Sequence, residues 1–177
     1  GTFNSSCWFV IGRYLGSTGE YDLSGGLLTQ QSSARNMIVG EAGSGTFTVR
    51  DGGEFQNSGN LRISEGAVYL TTGGVIRTAA VFSSDAGKSS AIYFDGGTLA
   101  AYGPTFVQDN FITGLTEGAF IRNGGLTLEI GSGRQATVPQ NLLAYAGSTG
   151  GLVKTGAGLL VLSGSNTYTG GTTVAGG

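Results

Sequence analysis

Eleven carboxylates are this chain's main stock of reactive groups: Glu20, Asp22, Glu41, Asp51, Glu54, Glu65, Asp85, Asp95, Asp109, Glu117 and Glu129. Two of them held at a fixed separation would suit acid–base cleavage of a glycosidic bond. Histidine is absent, which removes Ser-His-Asp and Cys-His nucleophile systems, His-ligated zinc and histidine general bases. The single Cys7 leaves no internal disulfide. It reads as a buried thiol, with an intermolecular bridge as the alternative. Calcium is not signalled, because neither the Gly-Gly-x-Gly-x-Asp nonapeptide nor an EF-hand loop is present. Gly40 to Gly45 is glycine-rich like a phosphate loop, but no Gly-Lys-Ser/Thr follows it. The expectation is no catalytic residue, no metal and no cofactor.

Whether carboxylates meet depends on the elements that carry them. Paired glycines stand at Gly25-Gly26, Gly52-Gly53, Gly73-Gly74, Gly96-Gly97, Gly124-Gly125 and Gly150-Gly151, with first members 27, 21, 23, 28 and 26 residues apart. An irregular period near 25 is the mark of a solenoid or an array. Between the pairs, apolar residues alternate with polar ones. Phe47 and Val49 share one face while Thr46, Thr48 and Arg50 share the other, and Leu126, Leu128 and Ile130 repeat the pattern. This is the period of half-buried strands. One such unit cannot bury its apolar face alone, so neighbouring coils must stack about 4.8 Å apart. The glycine pairs then serve as structural turns.

That register decides the carboxylate question. Asp51 and Asp95 fall in one column, but Thr72 lies between them. Two coil spacings are about 9.6 Å, wide even for an inverting acid–base pair. Ser24, Asp51, Thr72, Asp95, Asn123 and Thr149 precede the glycine pairs; their short polar side chains suit turn capping and a ladder between coils.

Composition supports one folded unit over 1–177. Glycine contributes 35 residues and proline 2, while charged residues make up 11% and hydrophobic ones 39%. Net charge is −2 and the nine Lys and Arg are scattered, so no footprint for nucleic acid exists. No apolar run is long enough to span a bilayer as a helix. The rhythm breaks over about 102–120, read as an irregular coil with a protruding loop. A second bulge is expected over 134–147, around Pro139. Tyr21, Phe47, Phe94 and Phe120 are expected to form an internal stack, with Tyr69 and Tyr93 facing out. Trp8 and Phe9 are adjacent, so one of them should be exposed.

From Gly151 the chain reads Leu152, Lys154, Gly156, Gly158, Leu160, Leu162, Gly164, Asn166, Tyr168, Gly170, Thr172 and Val174 at regular intervals. This segment, 150–177, closely resembles the autotransporter-associated β-strand repeat, also called the passenger-associated transport repeat. The resemblance implies a right-handed parallel β-helix, all-β, with coils of about 20–28 residues, in a secreted or surface-exposed bacterial protein. Leu159 and Val161 depart from the small polar residues usual there and suggest a covered surface.

The functional expectation is a non-enzymatic extracellular structural protein, a surface fibre or the stalk of a longer surface protein or adhesin. Its expected partners are copies of itself, head to tail, or flanking coils of one long chain. Gly1, Thr2, Phe3 and Trp8 at one end, and Thr172, Thr173 and Val174 at the other, are the residues expected to make that junction. The alternative is a glycan-binding or polysaccharide-degrading β-helix, which would need an aromatic row or a carboxylate cluster on one face.

Overall fold

A computed structural model describes residues 1–5, 7–30 and 35–177, without the side chains of Phe3 and Ser5. Among these residues the chain is all β and winds through about seven turns of a solenoid. Each early coil supplies one strand to each of three parallel faces. Face 1 has eight strands: Thr2–Ser5, Leu27–Gln30, Glu54–Asn57, Val75–Thr78, Gly97–Ala101, Leu126–Glu129, Leu152–Thr155 and Thr172–Val174. Face 2 has five: Phe9–Ile11, Met37–Val39, Leu61–Ile63, Val81–Phe82 and Ile112–Thr113. Face 3 has six: Thr18–Ser24, Ser44–Arg50, Gly66–Thr71, Ser90–Asp95, Gly118–Ile121 and Leu142–Ala144.

The alternation seen in the sequence sets what each strand buries. On face 1 the register aligns Leu28, Phe55, Ile76, Leu99 and Leu128 in one inward column, all buried. On face 3 Phe47, Val68, Ile92, Ala119 and Leu142 form another. Phe47 and Phe55 meet edge to face at 5.4 Å and tie these two faces together across the interior. Burying such a side chain stabilises the fold by roughly 1.5–3 kcal/mol. Because every strand bonds to its copy on the next coil, backbone polarity is satisfied without helices.

The face 1 column ends on a charge. Lys154 pairs with Leu128 and points inward, 6% exposed. Its ammonium donates to the carbonyls of Gly156 and Gly176, each at 2.5 Å. A buried ammonium is tolerated only with such partners. The lysine of the repeat thus clamps two backbone segments where the apolar column stops.

The corners explain the glycine pairs. Gly52 turns at φ +82°, a conformation that L side chains rarely adopt. Gly150 is required for another reason: a Cβ there would sit 1.8 Å from the carbonyl oxygen of Arg122. One slip occurs in the register, where Gly97 pairs with Leu126 and not with Gly125.

Several expectations are corrected. The coil that starts at Gly97 carries four strands, and Val107–Gln108, Gln135–Val138 and Leu159–Leu162 build a fourth, three-stranded face that replaces face 2 in the later coils. The break after 102 is therefore the start of a new side, with Phe106 and Val107 exposed at its corner. The second bulge, at 134–147, is instead two regular strands with Ala136, Val138 and Leu142 in the core. Pro139 falls between the strands, where its missing N–H costs no ladder bond. Cys7 is exposed, not buried, because it lies in the turn before Phe9–Ile11 and the inward position goes to Phe9. Trp8 is exposed beside it, with the guanidinium of Arg35 5.6 Å from its ring.

Candidate functional site

The carboxylates are dispersed and mostly engaged. Asp51 and Asp95 sit at the corner between face 3 and face 1, while Glu41 and Glu65 sit at the corner between face 2 and face 3. Arg50 lies 2.8 Å from Asp22 and 2.5 Å from Asp51, and these bonds raise its own pKa further. Arg77 arches over the small Ala100 to reach Glu54 at 2.9 Å and Glu129 at 3.1 Å. Burial works against the charge on Arg77, but the two carboxylates outweigh it and raise its pKa. Arg13 is paired with Glu41 at 3.6 Å. Among the described residues no three His, Cys, Asp or Glu side chains gather as a metal site.

The pKa of the Asp85 carboxyl lies below its ordinary value. The Ser64 hydroxyl, followed by Arg62 at 2.7 Å, holds it there. A folded value below the unfolded one contributes stability that is complete above the unfolded pKa, about 3.9. That stability is lost as pH falls through the folded value. Melting followed from pH 6 to pH 3 should therefore show Asp85→Asn losing part of the acid sensitivity of the unmutated chain. Equal acid profiles would refute the assignment.

Three of the six residues before the glycine pairs, Thr72, Asp95 and Asn123, bond between coils through their side chains, whereas Asp51 is taken up by Arg50. The Gly124 amide donates to Oδ1 of Asp95 at 2.7 Å, and the Thr149 amide donates to Oδ1 of Asn123 at 3.0 Å. The Thr72 hydroxyl donates to the Asp95 carbonyl at 3.2 Å. Replacing Asp95 with Ala leaves the Gly124 amide without this acceptor, and the expected cost is about 1 kcal/mol. Urea unfolding of the two proteins measures it; an unchanged midpoint would contradict it.

The outer side of face 3 carries a different kind of group. Tyr69 and Tyr93 stack at 4.9 Å, and Tyr93 and Phe120 at 5.2 Å, with ring planes 10° and 14° apart. The register places Tyr69, Tyr93 and Phe120 opposite one another on three consecutive coils. Tyr69 and Tyr93 thus face out as expected. Phe120 joins them rather than the interior, because Ala119 and Ile121 take the inward positions of its strand. Of the expected internal stack, Phe47 and Phe94 are buried, and Tyr21 is half-buried against Phe9 and Phe47. Tyr145 stands crosswise to the outer wall, at 83° to Tyr93 and 86° to Phe120. Burial, then the neighbouring Tyr69 and Tyr145, pushes the Tyr93 phenol above its ordinary value.

Arg122 occupies the corner between wall and crosspiece. Its guanidinium carbon is 4.5 Å from the Tyr145 ring centre, 4.8 Å from that of Tyr93 and 5.4 Å from that of Tyr69. A cavity of about 340 Å³ opens beside it, lined by Asp95, Asn123, Tyr145 and Ser148 among others. A larger recess of about 650 Å³ lies by the start of the fourth face, with Asp109 as its one charged lining residue. Sequence reasoning found two of the tyrosines but missed Arg122, since a lone arginine carries no periodic signal.

Of the residues expected at an assembly junction, Thr2, Phe3, Thr172, Thr173 and Val174 lie on the two outermost strands of face 1, Gly1 directly precedes the first of them, and Trp8 lies apart, in the turn before face 2. The Gly1 carbonyl accepts from the Leu27 amide at 3.0 Å. Thr2 and Phe3 pair with Leu27 and Leu28 through the backbone, the Phe3 side chain lying outside the described atoms. Thr172, Thr173 and Val174 pair with Leu152, Val153 and Lys154 on one side and are exposed. Leu159 is also exposed, and an apolar hollow lined by Leu160, Ala157 and Val174 adjoins it.

Comparison with known proteins is consistent with this geometry. The family described as passenger-associated-transport-repeat matches residues 152–177. A curated relative, the adhesin BmaC autotransporter of Brucella suis biovar 1 (strain 1330), is 34% identical over 137 residues, which is 75% of this chain. The chain spans about 4% of that relative's length. No solved structure matches.

Proposed function

We propose that this autotransporter-passenger repeat protein is a non-catalytic segment of a surface-exposed, adhesin-type solenoid, a rigid spacer that presents its outer faces away from the cell. The observation that supports this reading is the use made of the charged groups. Asp22, Asp51, Glu54, Asp85 and Glu129 are paired with arginines, and Asp95 caps a turn. Groups so engaged hold coils together rather than move protons. The long relative, of which the chain covers 4%, favours flanking coils of one chain as the neighbours at Thr2–Ser5 and Thr172–Val174. Displaying the chain on a non-adherent bacterium and counting attachment to epithelial cells tests the role. Attachment no greater than with an empty display vector would sink it.

The junction is tested separately. A solenoid edge of unpaired amides and carbonyls accepts a further strand whether that strand comes from the same chain or from another copy. Electron microscopy of the purified protein, with Thr173→Pro to block the edge, separates the two. Filaments that vanish in Thr173→Pro would assign the edge to copies of the chain. Monomers at every concentration assign it to flanking coils.

A further inference from the structure

Arg122 has no carboxylate partner; Arg134 lacks one too, but its guanidinium donates to the carbonyls of Gly103 and Thr105. Arg13, Arg50, Arg62 and Arg77 all reach one or two carboxylates. Among the described residues no ion pair or hydrogen bond holds the Arg122 guanidinium, and its Nε is buried without an acceptor. Buried donors are almost always satisfied, so an orphaned one points to an absent acceptor. Asp95 lines the same cavity without forming an ion pair with Arg122, and its Oδ1 is occupied by the Gly124 amide.

The surroundings describe that acceptor. Three rings within 5.4 Å of the guanidinium carbon shield one side of it from water, which strengthens any charge-assisted bond it makes. A planar fork held in this way matches a carboxylate with two parallel N–H···O bonds. The adjoining cavity of about 340 Å³ is at the small end of ligand sites, about 300–1,000 Å³. Its wall offers the flat ring of Tyr145, 39% exposed, and polar side chains from Asn123 and Ser148. Rings suit the C–H face of a pyranose, and polar groups suit its hydroxyls. Asp95 at the rim disfavours a dianion more than a monoanion.

We propose that the corner formed by Arg122, Tyr93 and Tyr145 is a binding site for a carboxylated sugar, a sialic or uronic acid unit of a glycan. The carboxylate takes the Nη edge of Arg122, the Nε being buried, and the ring lies against Tyr145. The proposal deepens the adhesin reading and rests on it for its biological setting, not for its chemistry.

Titration of the full chain with sialyllactose, a glucuronic-acid disaccharide, lactose, sulfated lactose and inorganic phosphate tests it. Binding of one or both carboxylated probes is expected, at least tenfold tighter than lactose. Arg122→Gln should weaken that binding at least tenfold and Arg122→Lys should not restore it, whereas Arg134→Gln leaves it unchanged. Saturation-transfer NMR on the unmutated chain should label the sugar ring protons through the tyrosines, which keeps the test independent of how the variants fold. Equal binding of lactose, or binding that survives Arg122→Gln, would overturn the site. Sulfated lactose or phosphate binding as tightly as the carboxylated probes would overturn its carboxylate specificity. Cell attachment that persists in Arg122→Gln would leave the adhesin reading standing without this site. Sugar binding without attachment would do the reverse.

Discussion

Gly40→Ala should be the most damaging single-methyl substitution in the chain, with a cost of about 4 kcal/mol or more. Gly40 turns at φ +74°, and a Cβ there would lie 1.7 Å from the carbonyl oxygen of Glu65 on the next coil. The left-handed backbone alone costs an L residue about 1–2 kcal/mol. The clash then forces two coils apart, because the obstruction is backbone and cannot rotate away. The same carbonyl accepts from the Gly45 amide at 2.9 Å, so moving it also breaks a bond between coils. Gly52→Ala is the matched control, with φ +82° and nothing within 4 Å of its Cβ; it should lose only the backbone term. At about 2–4 °C per kcal/mol for a chain of this size, Gly40→Ala should melt about 4–12 °C or more below Gly52→Ala. Melting points within 2 °C of each other would refute the stacking contact.

Phe47→Ala should cost about 3–5 kcal/mol, the range for emptying a large buried aromatic site. Phe47 is fully buried and joins Tyr21 at 6.0 Å to Phe55 at 5.4 Å. Its loss opens a cavity where face 3 meets face 1. Tyr69→Ala, on the outer column one coil further on, should cost about 1 kcal/mol, the worth of a partly exposed ring pair. The location of the damage is as diagnostic as its size. A solenoid's coils are stabilised by their neighbours, so hydrogen exchange in Phe47→Ala should quicken in Thr18–Ser24, Ser44–Arg50 and Gly66–Thr71. Leu126–Glu129 and Leu152–Thr155 should remain protected. Uniform loss of protection along the chain would show a single cooperative unit instead.

How far the fold was legible from sequence depended on which rule governed each segment. The alternation of Phe47 and Val49 with polar neighbours survives into the structure because a strand buried on one side has a strict period. The glycine pairs survive because crowded corners exclude Cβ atoms. Phe120 was misplaced because composition alone cannot choose between two alternating sets, and the small Ala119 was overlooked as an inward residue. The strands around Pro139 read as loop because a proline and scattered polar residues interrupt the pattern, whereas Pro139 sits between a strand of the fourth face and one of face 3. The corner at Arg122 was invisible for a different reason. It needs Tyr69, Tyr93 and Tyr145, on three different coils, and the spacing between coils varies too much to align them by eye. Lys154 was matched to its repeat, but its inward direction follows only from the register with Leu128.

The parallel register has a mechanical side. Bonds such as Gly124 to Asp95 and Thr149 to Asn123 run along the solenoid axis, as do the ladder bonds of every face. A pull on the two ends of the axis therefore loads these layers in series, and the weakest gives first. Coils should peel off singly, each release converting a layer about 4.8 Å thick into a strand reaching about 3.3–3.6 Å per residue. A solenoid pulled in this way would lengthen in steps, each release capping the tension that the remaining coils bear.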